Sequence, residues 1–232
     1  YHNEEGVGNA VRKSGIDRKE VFLVSKVWIS NYGYEKAKAS IDESLRRLQT
    51  DYIDMMLLHQ PFCDRYGAYR ALEEAYKEGK LRAIGVSNFY PDHFIDIASN
   101  MAIVPAVNQV ETHVFDQQIE PQHIMEEFGT RIMSWAPFAE GRNGFFTNPM
   151  LAEIGHKYGK SVAQVALRWL IQRGVVIIPK STHIERMRQN IDIFDFTLSD
   201  EDMASIATLD TGRSLFFDHH DAETARMFMG WR

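Results

Sequence analysis

Stretches that look like β-strands end repeatedly in a polar or reactive residue along this chain, and helix-like stretches separate them. Residues 21–25, 53–58 and 83–87 run into Lys26, His59 and Asn88, and residues 106–108, 131–134 and 175–179 run into Gln109, Trp135 and Lys180. Repeated strand–helix units with chemistry at each strand exit are typical of a (β/α) barrel, whose active site lies at the carboxyl ends of parallel strands. The pattern therefore predicts an enzyme.

The spacing of apolar residues predicts which segments form each element. Strands are predicted over residues 21–27, 52–58, 81–86, 106–110, 131–135 and 175–179, and helices over residues 4–12, 34–48, 66–78, 92–99, 121–128, 150–158, 161–173, 185–190 and 199–209. Residues 215–232 show no periodic pattern. Six parallel strands leave two architectures open, a doubly wound open sheet or an eight-stranded barrel that lacks its first quarter.

Composition narrows the class of protein. Of the 232 residues, 44% are hydrophobic, which is enough for one core, so we expect residues 1–232 to form a single domain. The formal net charge is −6 and there is no basic block, which argues against general nucleic-acid binding. Cys63 is the single cysteine, so no intrachain disulfide can form. No apolar run reaches the ~20 residues of a membrane span. The single cysteine suits the reducing cytoplasm, and we also expect a monomer whose partner is a small molecule, without nucleic acid, membrane or bound metal.

Five motifs occur in an order that identifies a family. They are residues 1–8 (YHNEEGVG), 57–61 (LLHQP), 85–89 (GVSNF), 108–111 (NQVE) and 178–181 (IPKS). Together they closely resemble the aldo-keto reductases, especially the bacterial branch that includes 2,5-diketo-D-gluconate reductases, and the likeness extends to about Phe217. The resemblance implies a (β/α)8 TIM barrel that uses NADPH to reduce aldehydes and ketones. It also implies that the chain begins after the family's second strand, without the first strand–helix–strand portion of about 45 residues, a quarter of a barrel.

The resemblance assigns the catalytic groups. Tyr1 is implied as the proton donor, Lys26 as the cation that lowers the phenol's pKa from about 10, and His59 as the group that orients the substrate carbonyl. The family's Asp that pairs with this lysine would lie five positions before Tyr1, outside the sequence. Taken singly, the three residues also fit a frayed terminus, a surface lysine and a structural histidine. Their joint placement at strand exits favours the catalytic interpretation.

Four further residues are implied in binding the nicotinamide. By the resemblance, Ser87, Asn88 and Gln109 hydrogen-bond the carboxamide, and Trp135 offers an aromatic face on which the ring stacks. A core tryptophan is the alternative interpretation of Trp135.

The segment after the last predicted strand resembles the family's site for the adenosine 2′-phosphate. Lys180, Ser181 and Arg186 would hold the phosphate, because two cations and a hydroxyl suit a dianion better than a bare ribose. This favours NADPH over NADH. Gln189 and Asn190 would contact the adenine, although the family often has Glu at the position of Gln189.

Aromatic residues in the loops predict a small, partly apolar carbonyl pocket. Trp28, Phe62 and Phe138 are its candidates, with Phe216 and Phe217 from the tail. The predicted substrates are small aldehydes, ketones, α-dicarbonyls such as methylglyoxal, or keto-sugars. A barrel that binds NADPH without catalysis, as a regulatory or binding subunit, is the main alternative. A hydrolase is a weaker alternative, since it would need two facing carboxylates at strand exits.

Two motifs are set aside. Residues 6–11 (GVGNAV) contain part of a dinucleotide fingerprint, but its third glycine is missing and the glycines lie inside a predicted helix. Close helix packing is the better interpretation. His219, His220 and Asp221 could suggest a metal site, yet adjacent residues rarely converge on one ion.

Overall fold

The computed structural model describes residues 2–231. Its strands are β1 (Val24–Val27), β2 (Met55–Leu58), β3 (Ile84–Ser87), β4 (Val107–Glu111), β5 (Arg131–Trp135) and β6 (Val176–Ile177). Its α-helices are α1 (Glu4–Lys13), α2 (Tyr34–Leu48), α3 (Arg65–Lys77), α4 (Pro91–Asn100), α5 (Ile119–Glu127), α6 (Pro149–Tyr158), α7 (Val162–Gln172), α8 (Ile184–Ile191), α9 (Asp200–Ala207) and α10 (Ala222–Met229). Tyr1, which carries the predicted proton donor, lies outside the described residues.

The six strands form one sheet whose order follows the chain from β1 to β6. The strand pairs for which the register is defined, β1–β2, β2–β3 and β5–β6, are parallel. A doubly wound sheet needs a point at which the strand order reverses, and this order has none. The structure therefore confirms a parallel α/β fold and contradicts the doubly wound alternative.

The chain divides into two compact units. The first contains the described residues up to Asn108, Phe128–Thr130 and the segment from His219 onward. The second contains Gln109–Glu127 and Arg131–Asp218.

In the first unit, β2 forms the centre of the core. Its four residues are all buried, as expected of a parallel strand that is covered on both faces. Helix α2 contributes a buried face with Ala37, Ile41 and Leu48, which matches the predicted spacing of its apolar residues. Helix α1 approaches α2 closely, since a Cβ on Gly8 would come within 2.3 Å of the Leu48 carbonyl oxygen. Close packing is thus confirmed for Gly8, whereas a Cβ on Gly6 would have no neighbouring atom within 4 Å.

The second unit is built around β5 and helix α7. The first turn of α7 is fixed by a capping box, in which Ser161 Oγ accepts from the Gln164 amide and the Gln164 side chain accepts from the Ser161 amide. Six residues of α7 are buried, among them Trp169.

Several predictions of secondary structure need correction, and β2, β3 and β6 have other bounds than the strands predicted over residues 52–58, 81–86 and 175–179. Strand β1 begins at Val24 rather than at residue 21, because the Leu23 amide donates to the Asp54 carboxylate, at 2.9 Å, instead of to a neighbouring strand. The tail is not aperiodic, since α10 begins after Asp221, whose carboxylate accepts from the Thr224 amide. Ala225, Phe228 and Met229 carry the apolar spacing of this short helix, and the Asp cap with that spacing was the signal that could have revealed it.

Candidate active site

The carboxyl ends of β1, β2 and β3 present their side chains on a shared face. Lys26 is paired in register with Leu57, and Leu57 with Gly85. Because side chains alternate along a strand, the residues two positions further on, Trp28, His59 and Ser87, follow that same face. Gly85 is required there, since a Cβ would lie 2.6 Å from the Val107 carbonyl oxygen.

His59 is fixed by its backbone and by an aromatic neighbour. Its amide donates to the Val27 carbonyl at 3.2 Å, and its carbonyl accepts from Asn88 Nδ2 at 3.0 Å. Trp28 meets the imidazole edge-on, with 4.8 Å between ring centroids. Burial lowers the pKa of His59 to about 3, and the charge of Lys26 adds to the shift. The imidazole is therefore neutral at neutral pH and can donate a hydrogen bond without carrying a charge.

Lys26 lies half-buried on β1. Burial lowers the pKa of its ammonium group, because a desolvated charge is less stable than a hydrated one. A half-buried cation of this kind can act on a neighbouring phenol more strongly than a surface lysine, since less water screens it.

The predicted nicotinamide contacts of this unit lie at the end of β3. Ser87 is its last residue and is buried, as is Asn88, which follows. Asn88 Nδ2 also donates to Ser87 Oγ at 3.2 Å, so the two predicted partners are linked. Asn88 adopts a left-handed backbone with φ of 62°, a conformation that Asn tolerates better than most residues.

A cluster of residues from the tail packs on the loop after β2, and the sequence alone did not indicate it. His219 is buried, hydrogen-bonds Gln60 Oε1 through Nε2 at 2.8 Å, and stacks between Phe62 and Phe228. Trp231 stacks on Trp28 with 5.7 Å between centroids. The tail is therefore packed rather than free, and Phe62, a predicted pocket residue, faces His219.

The side chains of His219 and His220 contact different residues. His220 is exposed and lies 3.3 Å from the Asp92 carboxylate, while His219 bonds Gln60. Among residues 2–231 no group of three or more His, Cys, Asp or Glu side chains is arranged to hold a metal ion.

In the second unit, Trp135 ends β5 and packs against the tail segment before residue 219. Its ring lies 5.1 Å from Phe216 and 5.9 Å from Phe217. Gln109, the predicted third partner of the carboxamide, is buried on β4. Trp135 is half-buried, so it is not a wholly enclosed core residue.

The segment that carries Phe216 is held from two sides. The Leu215 amide donates to Glu111 Oε1 at 2.8 Å, and Ser214 Oγ donates to the other carboxylate oxygen. From the loop after β5, the Arg142 guanidinium lies 4.0 Å from the Phe216 ring centroid and donates to the Leu215 carbonyl. Sequence reasoning missed both anchors, because no local pattern joins positions that lie so far apart in the chain.

Phe138 opens the loop after β5, in which Ala139–Thr147 form an irregular 3₁₀ segment. Its ring packs on Phe145 and Phe146, with centroid distances of 5.8 and 5.9 Å. Ala136, Ala139 and other non-glycine residues of this loop have positive φ, which is strained backbone of the kind found at functional sites. The loop that carries the predicted pocket residue Phe138 thus has little regular structure and contains its own aromatic cluster.

Of the predicted phosphate ligands, Lys180 and Ser181 lie between β6 and α8, and Arg186 lies in α8. Lys180 and Arg186 are exposed, and Ser181 Oγ accepts from the His183 amide at 3.1 Å. Gln189 and Asn190 lie further along α8, the first exposed and the second half-buried. Exposed cations with a hydroxyl are groups that can bind a phosphate, and the hydroxyl and amide at the end of β3 are groups that can bind a carboxamide.

None of the helices within residues 2–231 combines the length and the apolar character needed to cross a membrane.

Comparison with known proteins identifies the family. The model of the aldo/keto reductase family matches residues 1–211. The chain belongs to this family. Glyoxal reductase of Bacillus subtilis (strain 168) is 47% identical over 210 residues, which cover 90% of this chain and 75% of that protein.

Two solved structures extend the comparison. A putative 2,5-diketo-D-gluconic acid reductase B is 39% identical with a TM-score of 0.90, covering 95% of this chain and 79% of that one. An aldo-keto reductase of Bombyx mori in complex with NADP is 32% identical with a TM-score of 0.89, covering 96% and 80%. The resemblance to the family and its bacterial branch is confirmed, and the chain is an oxidoreductase of the NADP-dependent, carbonyl-reducing kind. The non-catalytic alternative gains no support.

Proposed function

We propose that this protein uses NADPH to reduce small α-dicarbonyls and related aldehydes, ketones or keto-sugars to alcohols. One observation carries the proposal: Lys26, Trp28 and His59 share a face at the carboxyl ends of β1 and β2, with the imidazole neutral beside an aromatic wall. The glyoxal reductase activity named for the Bacillus subtilis relative supports α-dicarbonyls as the substrate class.

The chemistry divides between cofactor and protein. NADPH, when bound, supplies a hydride to the carbonyl carbon. The protein must hold the carbonyl and deliver a proton to its oxygen. We assign the proton to the Tyr1 hydroxyl, with Lys26 stabilising the phenolate that remains. A neutral His59 then orients the substrate by donating a ring N–H to the carbonyl oxygen.

The cofactor residues follow the sequence prediction. Ser87, Asn88 and Gln109 would bind the carboxamide, and Trp135 would stack on the nicotinamide. The adenosine end would be held by Lys180, Ser181, Arg186, Gln189 and Asn190. Two exposed cations beside a hydroxyl support a phosphate on the ribose and hence NADPH.

Substrate size is the further part of the proposal. Trp28 packs against His59. We propose Phe62 and Phe138 as further residues of the pocket. Apolar walls around a single polar centre suit small carbonyl compounds. An α-dicarbonyl suits such a site well because its second carbonyl makes the first more electrophilic.

The remaining features are proposed on the same basis. The six strands are proposed to belong to a (β/α)8 barrel, and both compact units to one domain, because the family match runs through both. A cytoplasmic location, a monomeric state and the lack of nucleic-acid binding remain predictions.

The proposal is tested by following consumption of NADPH with glyoxal, methylglyoxal, a simple aldehyde and a keto-sugar. We expect turnover with the dicarbonyls, and its loss in Tyr1→Phe with NADPH binding retained. Binding is measured separately by quenching of protein fluorescence. Bound NADPH without turnover of any substrate would favour the non-catalytic subunit, and unchanged turnover in Tyr1→Phe would reject the assigned proton donor.

A further inference from the structure

We propose that His219 is a positioning residue, whose hydrogen bond to Gln60 seats Trp231 against Trp28 and so selects which carbonyl compounds reach His59. The selection rests on the proposed function of His59, whereas the seating of Trp231 does not. The residues concerned all belong to the first compact unit.

Gln60, which lies in the loop after β2, is held in place through its backbone. Gln60 is buried, and Tyr32 holds its backbone twice. The Tyr32 hydroxyl donates to the Gln60 carbonyl at 2.7 Å, and the Gln60 amide donates to the same hydroxyl oxygen at 2.9 Å. The side-chain oxygen of Gln60 is thus presented from a fixed backbone, directly after His59.

The tail meets this anchor through a single buried imidazole. His219 is 4% exposed, its Nε2 lies 2.8 Å from Gln60 Oε1, and its amide donates to the Tyr90 hydroxyl at 3.3 Å. A buried polar pair is costly to separate, because each partner would lose its hydrogen bond without gaining one from water. The bond therefore specifies one position for the start of the tail.

A series of aromatic contacts connects His219 to Trp231 and Trp28. His219 lies parallel to Phe228 of α10, with 5.2 Å between centroids and 10° between planes. Phe228 meets Trp231 edge-on at 4.8 Å, and Trp231 stacks on Trp28 at 5.7 Å. Aromatic pairs at these distances have preferred geometries, so moving one ring displaces the next.

The stack ends at the candidate catalytic histidine. Trp28 Nε1 lies 3.4 Å from the Trp231 carbonyl oxygen, and the same indole contacts the His59 ring at 4.8 Å. Trp231 remains 45% exposed, so it covers Trp28 while facing solvent. A residue so placed restricts the approach of bulky substituents to His59 and leaves room for compact ones.

The chain provides a matched control next to His219. His220 belongs to the same segment and contacts the Tyr90 ring, as His219 does, but it is exposed and bonds Asp92. Substituting His220 therefore perturbs the same stretch of backbone without breaking the bond to Gln60.

The test compares His219→Phe with His220→Phe. Phenylalanine at position 219 keeps a ring between Phe62 and Phe228 but cannot bond Gln60, so the variant isolates the hydrogen bond. Near-ultraviolet circular dichroism reports the coupled Trp28 and Trp231 indoles, and Trp231→Leu identifies their contribution. We expect His219→Phe to lose that contribution and His220→Phe to keep it, with the fold of each variant checked by far-ultraviolet circular dichroism.

The second measurement is substrate selectivity, expressed as a ratio of KM values. We expect KM for an aromatic aldehyde, relative to KM for methylglyoxal, to fall about fivefold in His219→Phe and in Trp231→Leu, the size expected from losing an aromatic contact. The ratio should be unchanged in His220→Phe. A His219→Phe protein that keeps the Trp28–Trp231 signal would overturn the seating of Trp231 by His219. If the signal is lost but the KM ratio equals that of His220→Phe, the role in selection is rejected. If no carbonyl is reduced by any variant, the proposed function fails while the dichroism still decides whether His219 seats Trp231.

Discussion

Asn88 donates a hydrogen bond from Nδ2 to the backbone carbonyl oxygen of His59, at 3.0 Å. A residue proposed to bind the nicotinamide thus also holds the loop that carries the proposed orienting imidazole. Asn88 also has a left-handed backbone, with φ of 62°. Binding of the cofactor and placement of His59 are therefore expected to be coupled.

Substitution of Asn88 tests this coupling. Both Asn88→Ala and Asn88→Gly lose the side-chain amide, but alanine tolerates the positive φ of this position poorly, whereas glycine adopts it without strain. We expect Asn88→Gly to bind NADPH about tenfold more weakly and to lower kcat, the scale of one lost hydrogen bond. Asn88→Ala should be about 1 kcal/mol less stable still, as measured by urea unfolding. If Asn88→Gly changes neither kcat nor binding, Asn88 has no role beyond the turn.

The neutrality of His59 makes a prediction about pH. Burial, with the nearby charge of Lys26, lowers its pKa to about 3. The group therefore does not change its charge between about pH 5 and pH 8, where an ordinary histidine would titrate. In the wild type, the pH profile of kcat for carbonyl reduction should show no inflection near pH 6.5 that belongs to His59. His59→Gln should lower kcat at least tenfold without removing an inflection from that profile. A limb that vanishes with His59 would show that the imidazole works as a charged acid.

Local patterns in the sequence predicted much of this fold, and the reasons are specific. The helix over Tyr34–Leu48 and the strand over Arg131–Trp135 have the predicted bounds, because the spacing of their apolar residues is a local pattern. The strand pattern also predicted that Lys26 and His59 lie at strand exits, and they lie at the carboxyl ends of β1 and β2. Which residues hold the tail could not be predicted in this way. The contacts of Glu111 with Ser214 and of Gln60 with His219 join positions more than a hundred residues apart, and no periodicity encodes them.

Two arginines on helix α8 allow the preference for NADPH over NADH to be tested. Arg186 and Arg188 are both exposed on α8, but Arg188 forms an ion pair with Glu185 at 2.7 Å and is not among the predicted phosphate ligands. We expect Arg186→Met to raise KM for NADPH about tenfold and to leave KM for NADH unchanged, because only the 2′-phosphate would lose a charged partner. The matched variant Arg188→Met should leave both values unchanged. Equal effects on the two cofactors in Arg186→Met would reject a 2′-phosphate site at this residue.

Asp116 offers a prediction about stability. It is buried after β4, and burial, with the negative charge of Glu111, raises the pKa of its carboxyl to about 6 from 3.8. Asp210 also raises this pKa, whereas His113 and two hydrogen bonds from Gln118 Nε2 oppose the shift. The folded state therefore binds the proton more tightly than the unfolded chain. We therefore expect the difference in free energy of unfolding, wild type minus Asp116→Asn, to be more positive at pH 4 than at pH 7.

The size of this difference is at most about 3 kcal/mol, since each unit of pKa shift corresponds to about 1.4 kcal/mol. It should be lost as the pH rises from 4 through 6, while the carboxyl ionises in the folded protein. Urea unfolding of both proteins at a series of pH values measures it, and titration of other groups such as His59 cancels in the comparison. A difference that does not change with pH would mean that Asp116 ionises in the folded protein as it does in the unfolded chain.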